Sequence, residues 1–572
     1  MRTLRKSVLA LLIIILIVLA SGCLTGTTST QKSKMTSKAP STPAVSRVET
    51  SNTSVLTVEI NPNLELFAVI YILAFNGSDP FIMAPPSYIK DALTYFAPYK
   101  DSEAVKDVRE TFNSSLPFYT RDEAIMALST RLAKLNYLGN ITNDTALGLD
   151  LRLFAEFARE SNFEAFYRAH LKDYERSISN LSKILSRAPR WYWHLFGRDY
   201  TRFRVEASYS LRIHPHSVGE NGTVYYIGFI PRDMDPSKAH ELALVILHEF
   251  AHPFVEDFLK ENFQLFRNMS YYLNEIRSEL PFTTSYDVDH YGTFYNYLDE
   301  LFTESVAEYI GLKCGIPEDY VTLYRLTMSV PLFPLSKFFE EYSHMEKSGM
   351  KVSEYAPIFA RHMAEWATPE NVSALYWEVT PVTWVHETNS ILFNGKVVIV
   401  YGTSGSEKAL AEFLEKTLKR GYLQGYGQAP SIVLKEVDEL TPDDMKTNLI
   451  LIGTPETNEL VERLNDRLPV KFLFNGSWTL GRSNDSVGKF FAFKITNESV
   501  ISLPLNAPVP SQWGLIETIK NPWNSDTYIT VIAGTDESLM GEVIRKGRVE
   551  SYTIIGRNYL EVGFYIERGG ER

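Results

Sequence analysis

The sequence predicts two folded units in tandem. One is an α+β unit, mainly helical with a small sheet, over residues 55–390; the other is an α/β unit with a parallel sheet over residues 394–572. Three observations carry this. Apolar residues recur three and four apart through Tyr88–Phe96, Glu123–Leu138 and Leu149–Phe166, the spacing that lines one face of a helix. Val55–Ile60, Arg204–Ile213 and Thr223–Ile230 alternate or run apolar over strand-like lengths. Beyond residue 394 an apolar run, a turn and a helical stretch follow one another three times, which implies parallel strands covered on both faces. At 572 residues, 45% of them hydrophobic, the chain can bury two cores.

The N-terminus is of another kind. Arg2, Arg5 and Lys6 precede the apolar stretch Val8–Ala20, which is short for a membrane span and typical of a signal peptide. It ends in Leu19-Ala20-Ser21-Gly22-Cys23, which resembles a lipoprotein signal. On that resemblance residues 1–22 are removed, and Cys23 becomes a lipidated terminus on the outer face of the cytoplasmic membrane. Residues 23–54 are rich in Ser and Thr, cannot bury enough apolar surface to fold, and read as a flexible tether. Cys314 is the only other cysteine, so lipidation of Cys23 leaves no internal disulfide, and a small buried hydrophobe is expected there. Sequons at Asn76, Asn113, Asn180, Asn268 and Asn475 fit an exported glycoprotein. A net charge of −12 without a basic block argues against nucleic acid as a partner.

The first unit opens with the Val55–Ile60 strand and a largely apolar element, Leu64–Phe75. Trp191, Trp193 and Phe196 form an aromatic cluster suited to core packing. Asp235-Pro236 is a helix start, with Asp as N-cap and Pro at the first helical position. The helix runs on through Leu242–Leu247, apolar nearly all round, into His248-Glu249-Phe250-Ala251-His252. Histidines four apart share a helix face and can offer two imidazoles to one cation. Glu249 then stands beside the cation's water as general base. Two neutral imidazoles, a carboxylate and a free position suit Zn2+, the expected cofactor. Pro253 lacks a backbone donor and predicts a kink or a helix end.

The motif does not stand alone. Val58-Glu-Ile-Asn-Pro62, Leu64-Glu-Leu66, Tyr95-Phe96 and Tyr99-Lys100, followed by His248–His252, resemble a family of exported bacterial and archaeal proteins. Its members carry an H-E-F-S-H-like motif and are suspected gluzincin-type zinc metallopeptidases; the resemblance covers roughly residues 55–330. It implies a zincin-like first unit, a peptide or protein substrate, and a sheet edge near the motif helix that pairs with extended substrate. Arg204–Ile213 and Thr223–Ile230 are the strands proposed for that edge. The chain departs from the family at Pro253.

A site of this type takes its third ligand, a glutamate, from a second helix downstream. Tyr297–Ile310 offers Glu300, Glu304 and Glu308. Around a wheel whose apolar face is set by Phe294, Tyr297, Leu298, Leu301, Phe302, Ser305 and Tyr309, Glu300 falls farthest from the middle, Glu308 nearest and Glu304 between. Glu304 is therefore expected as the ligand, with Glu308 accepting a hydrogen bond from a ligand histidine; Glu300 is the runner-up. A donor to the oxyanion is also needed, and His290, Tyr291, His344 and His362 all remain open.

In the second unit the repeats are Lys396–Tyr401 with Glu407–Leu418, Asn448–Ile452 with Glu456–Leu464, and Tyr528–Ile532 with Glu537–Arg545. Gly402-Thr-Ser-Gly405 could hold an anion at a helix start, yet it matches neither the dinucleotide nor the P-loop fingerprint and reads as a plain turn. No catalytic set is visible there, and the unit is expected to be accessory. The expected function is a membrane-tethered, extracytoplasmic zinc metallopeptidase. The alternative is a non-catalytic binding or scaffolding lipoprotein on the same fold. A lipid-anchored solute-binding protein would show two similar lobes, and the sequence has no such duplication.

Overall fold

The computed structural model describes residues 46–567, apart from 51–53, 114–115, 136, 138–144, 147, 233, 282–292, 427, 484–487 and 547–549. The signal segment with Cys23, most of the tether, and His290 and Tyr291 lie outside the described residues. The protein is a mixed α/β molecule, rich in helix, with several sheets.

The first unit is built on a buried helix, Pro62–Ala74. Asn61 caps it, its side chain accepting from the Asn63 and Leu64 amides, and Pro62 takes the first-turn position where no donor is needed. Glu65 of this helix is fully buried yet well supplied with donors. It accepts from Ser208 Oγ, Tyr209 N and Ser210 Oγ, each at 2.6 Å, and from the Tyr88 hydroxyl at 3.0 Å. These bonds also end the strand expected over Arg204–Ile213 early, at Ser208.

Five strands form the first sheet, in the order Ser46–Thr50, Ser54–Ile60, Arg202–Ser208, Thr223–Phe229, His216–Glu220. The central three run parallel and the outer two antiparallel, with Val58, Val205, Tyr226 and Ser217 in register across four of them. His216–Glu220, too polar to be read as a strand, is thus an edge, and both strands proposed for that role are interior. The motif helix, Pro236–Phe266, starts as expected: the Asp235 carboxylate accepts from Lys238 N at 2.9 Å. It neither ends at Pro253 nor breaks there but continues to Phe266. It packs along Phe294–Cys314, and the two helices close tightly at Gly311, where a Cβ would lie 2.7 Å from the Leu244 side chain.

The second unit holds a nine-stranded sheet, and the expectation of a wholly parallel one is corrected. Ser431–Glu436, Lys396–Tyr401, Asn448–Ile452 and Tyr528–Gly534 are parallel neighbours. The other five strands are antiparallel. Connection length explains this. A parallel crossover needs a dozen or more residues. Gly514–Lys520 reaches Tyr528 through the short turn 521–527, and Tyr552–Gly556 reaches Tyr559 through Arg557-Asn558. The helix Trp384–Asn394 lies on this sheet, with Ile391 packed among Ile399, Ile450 and Ile532, so the second unit begins near Trp384. At the other end of the sheet Phe493, Val500, Val562 and Phe564 turn outward into the first unit's core.

Candidate metal centre

On the motif helix His248 and His252 face each other through their Nε2 atoms, 3.2 Å apart, with ring planes at 88°. Glu300, from the neighbouring helix, brings Oε2 to 3.6 Å from His248 Nε2. One ligand atom from each of the three lies within 4.8 Å of the other two, the one such grouping among the described residues. The outer nitrogens are held from behind. Glu304 Oε2 lies 2.8 Å from His248 Nδ1, and Asp299 Oδ2 lies 3.3 Å from His252 Nδ1, with Thr303 Oγ1 at 3.4 Å. Carboxylates on Nδ1 fix the proton there and turn the Nε2 lone pairs inward. Two imidazole nitrogens and a carboxylate oxygen thus converge on one point. This donor set fits a divalent ion.

The expected third ligand thus differs from the one the fold brings forward. Glu304 is fully buried and spent on the far nitrogen of His248, whereas Glu300, the runner-up, stands at the rim with its side chain 12% exposed. Glu308, expected behind a histidine, instead accepts from Arg325 Nε at 2.6 Å, and burial raises its pKa to about 8 despite that arginine. The helix is buried on every side from Tyr297 through Gly311 except at Asp299, so it has no single apolar stripe by which a wheel could separate ligand from support. Depth along the axis sorts the three acids. Asp299 and Thr303 were missed altogether, although two acids bracketing Glu300 at its own i−1 and i+4 positions are a readable signal for a ligand with supports on both sides.

Electrostatics favours a cation here. Burial pulls the His248 pKa down, but the Glu304 carboxylate outweighs it, and the net shift is upward. For His252 burial is again the largest effect, overcome by the Asp299 hydrogen bond and the charges of Glu300, Asp299 and Glu249, which bring it to about 10. Glu249 is 7% exposed and close enough for its charge to act on both His252 and Tyr226. The Tyr226 hydroxyl is buried without a hydrogen-bond partner among the described residues, and burial together with Glu249 pushes its pKa well up.

The edge strand His216–Glu220 rests on the motif helix one residue past the second histidine: a Cβ on Gly219 would fall 2.9 Å from Pro253 Cβ. His344 and His362 do not join the cluster; they flank the buried Glu341, at 3.5 and 3.0 Å. Cys314 is buried, as its apolar setting implies. In the second unit the Gly402–Gly405 turn is filled by the protein's own carboxylate. Glu407 accepts from Thr457 Oγ1 at 2.6 Å and from Ser404 N at 3.3 Å, and a Cβ on Gly402 would meet it at 2.6 Å.

No protein-family model matches the chain, and no significant match exists among curated proteins or among solved structures.

Proposed function

We propose that this chain is an exported, lipid-anchored zinc metallopeptidase whose first unit is zincin-like, with His248, His252 and Glu300 as metal ligands. The observation that carries the reading is the convergence of two imidazole lone pairs and a carboxylate, immediately beside Glu249. Two nitrogens and one carboxylate are a donor set for zinc with a position left for water or substrate. Bound there, zinc would supply a Lewis acid for a carbonyl and acidify water.

The chain's own residues have the remaining tasks. Glu304 and Asp299 hold the imidazoles in one tautomer and orientation. Glu249, next in sequence to His248, takes the proton of the attacking water and returns it to the departing amine. An extended peptide lies along the edge strand His216–Glu220, whose neighbour on the sheet side, Thr223–Phe229, already satisfies one row of its backbone groups. Cys23 carries the lipid; among the described residues no helix is long and apolar enough to cross a membrane.

The test is zinc stoichiometry on the purified full chain together with hydrolysis of an unfolded protein. One zinc per chain is expected, none in His248→Ala, and one in Glu249→Gln with activity reduced at least ~10²-fold, as removal of a general base does. Wild-type turnover by zinc-loaded Glu249→Gln would overturn the mechanism, and absence of zinc from the wild-type chain would overturn the metal site.

A further inference from the structure

Resting on the reading of His248, His252 and Glu300 as a metal site, we propose that the outer hairpin of the second unit, Gly488–Ile495 with Val500–Ser502, is part of the framework that positions this site, so that the second unit is not a detachable accessory. The hairpin grips the first unit at two points. Its turn gives the Asn497 carbonyl to the Ser237 amide at 3.3 Å. Ser237 stands in the first turn of the motif helix, where four backbone amides lack partners within the helix. One of those donors is therefore satisfied by the other unit. The turn that does this is itself stiffened: Thr496 N donates to Ser499 O at 2.8 Å, and Thr496 Oγ1 accepts from Ser499 N at 2.9 Å.

The second grip leads inward. Ser502 donates to Asp319 through its amide, at 3.1 Å, and through its hydroxyl. Asp319 is the second residue of the helix Glu318–Met328. Beside it, Tyr320 packs its ring 4.9 Å from His240 of the motif helix. One turn further on, Tyr324 donates to Glu304 Oε2 at 3.5 Å, and Arg325 Nε donates to Glu308 at 2.6 Å while the guanidinium carbon lies 3.5 Å from the centre of the Phe339 ring. Glu304 Oε2 is the same atom that holds His248 Nδ1. Asp319, Tyr320, Tyr324 and Glu304 thus form a continuous path of contacts from the hairpin to a proposed metal ligand. A short helix pinned in its first turn by two hydrogen bonds has little freedom to shift the side chains a turn later. Asp319 and Tyr324 are positioning residues: they touch no ligand of the site and act through Glu304.

The experiment measures zinc affinity by chelator competition and the visible absorption of the cobalt-substituted full chain. Its variants are Asp319→Ala, Asp319→Asn and Ser502→Ala. Asp319→Ala should bind zinc roughly 3–30-fold more weakly, the range for residues that couple to a site without touching its ligand, and its cobalt spectrum should move. Asp319→Asn, which can still accept from the Ser502 amide, should recover most of the loss. Ser502→Ala, which removes the hydroxyl bond and keeps the backbone one, should fall between wild type and Asp319→Ala and serves if the latter does not fold. Zinc affinity and cobalt spectrum unchanged in Asp319→Ala, or in Ser502→Ala where that is the variant read, would overturn the coupling while leaving the metal site standing. Absence of zinc from the wild-type chain would overturn both.

Discussion

Two buried carboxylates, one in each unit, show what separates a site from a piece of framework. Glu561, in the second sheet, is fully buried and surrounded by donors. Arg482 Nε lies at 2.7 Å and a second guanidinium nitrogen is in contact, while the Tyr552 and Tyr559 hydroxyls donate at 2.8 and 2.5 Å. Every acceptor there has its own donor, and nothing further is called for. At Glu300 the carboxylate looks across at the two imidazole Nε2 atoms, with Glu304 and Asp299 behind the rings. Burial of an acid is common to both regions. Convergence of ligand atoms from two helices on one point belongs to one.

That contrast can be broken first at the metal centre. Glu300→Ala should lose zinc outright, measured as metal content after gel filtration, whereas Glu304→Ala should retain the metal with affinity about 10–100-fold lower, the usual effect of removing a partner behind a ligand. The reverse outcome would return Glu304 to the ligand set. The second test is at Glu561. Arg482→Met leaves a fully buried carboxylate without its cation and should destabilise the chain by about 3–5 kcal/mol, read from urea unfolding, with zinc stoichiometry unchanged. A loss of zinc without loss of stability would show that the framework pair is no such thing.

The third test is a pH dependence. In metal-free protein the His248 and His252 pKa values lie above the ordinary 6.5, that of His252 at about 10. Groups that bind protons more tightly when folded stabilise the fold fully below their unfolded pKa and lose that contribution as pH rises through the folded one. Stability of the metal-free chain should therefore decline between about pH 6.5 and 10, and the decline should shrink in His252→Ala. Zinc must displace those protons, so its apparent affinity should rise over the same window. A flat unfolding midpoint across that range, measured in chelator, would show that the two imidazoles are not held as the geometry has them.

Much of this was legible in the sequence, for identifiable reasons. The motif helix announces itself because its cap, its apolar run and its histidines are local features, and Asp235 does accept from Lys238 as a cap should. The apolar strands Lys396–Tyr401 and Asn448–Ile452 are as easily read, since a strand buried on both faces has no polar residues to confuse it. What the sequence hid is set by how elements cross. Glu300 and Glu304 are equivalent in composition and differ only in which nitrogen of His248 they meet. His216–Glu220 is half polar because an edge strand can be, and its rank in the sheet follows from partners far along the chain. The hairpin that caps the motif helix lies some 260 residues beyond it, out of reach of any periodicity argument.

The contact between Gly219 and Pro253 sets a tolerance. A Cβ on Gly219 would meet the Tyr200 hydroxyl at 2.8 Å and the proline Cβ at 2.9 Å, and the proline ring has no rotamer with which to yield. The gap between strand and helix is therefore a fixed gauge. Even a methyl group on Gly219 would reset the gauge, because the Tyr200 side chain could turn aside from it but the proline ring could not.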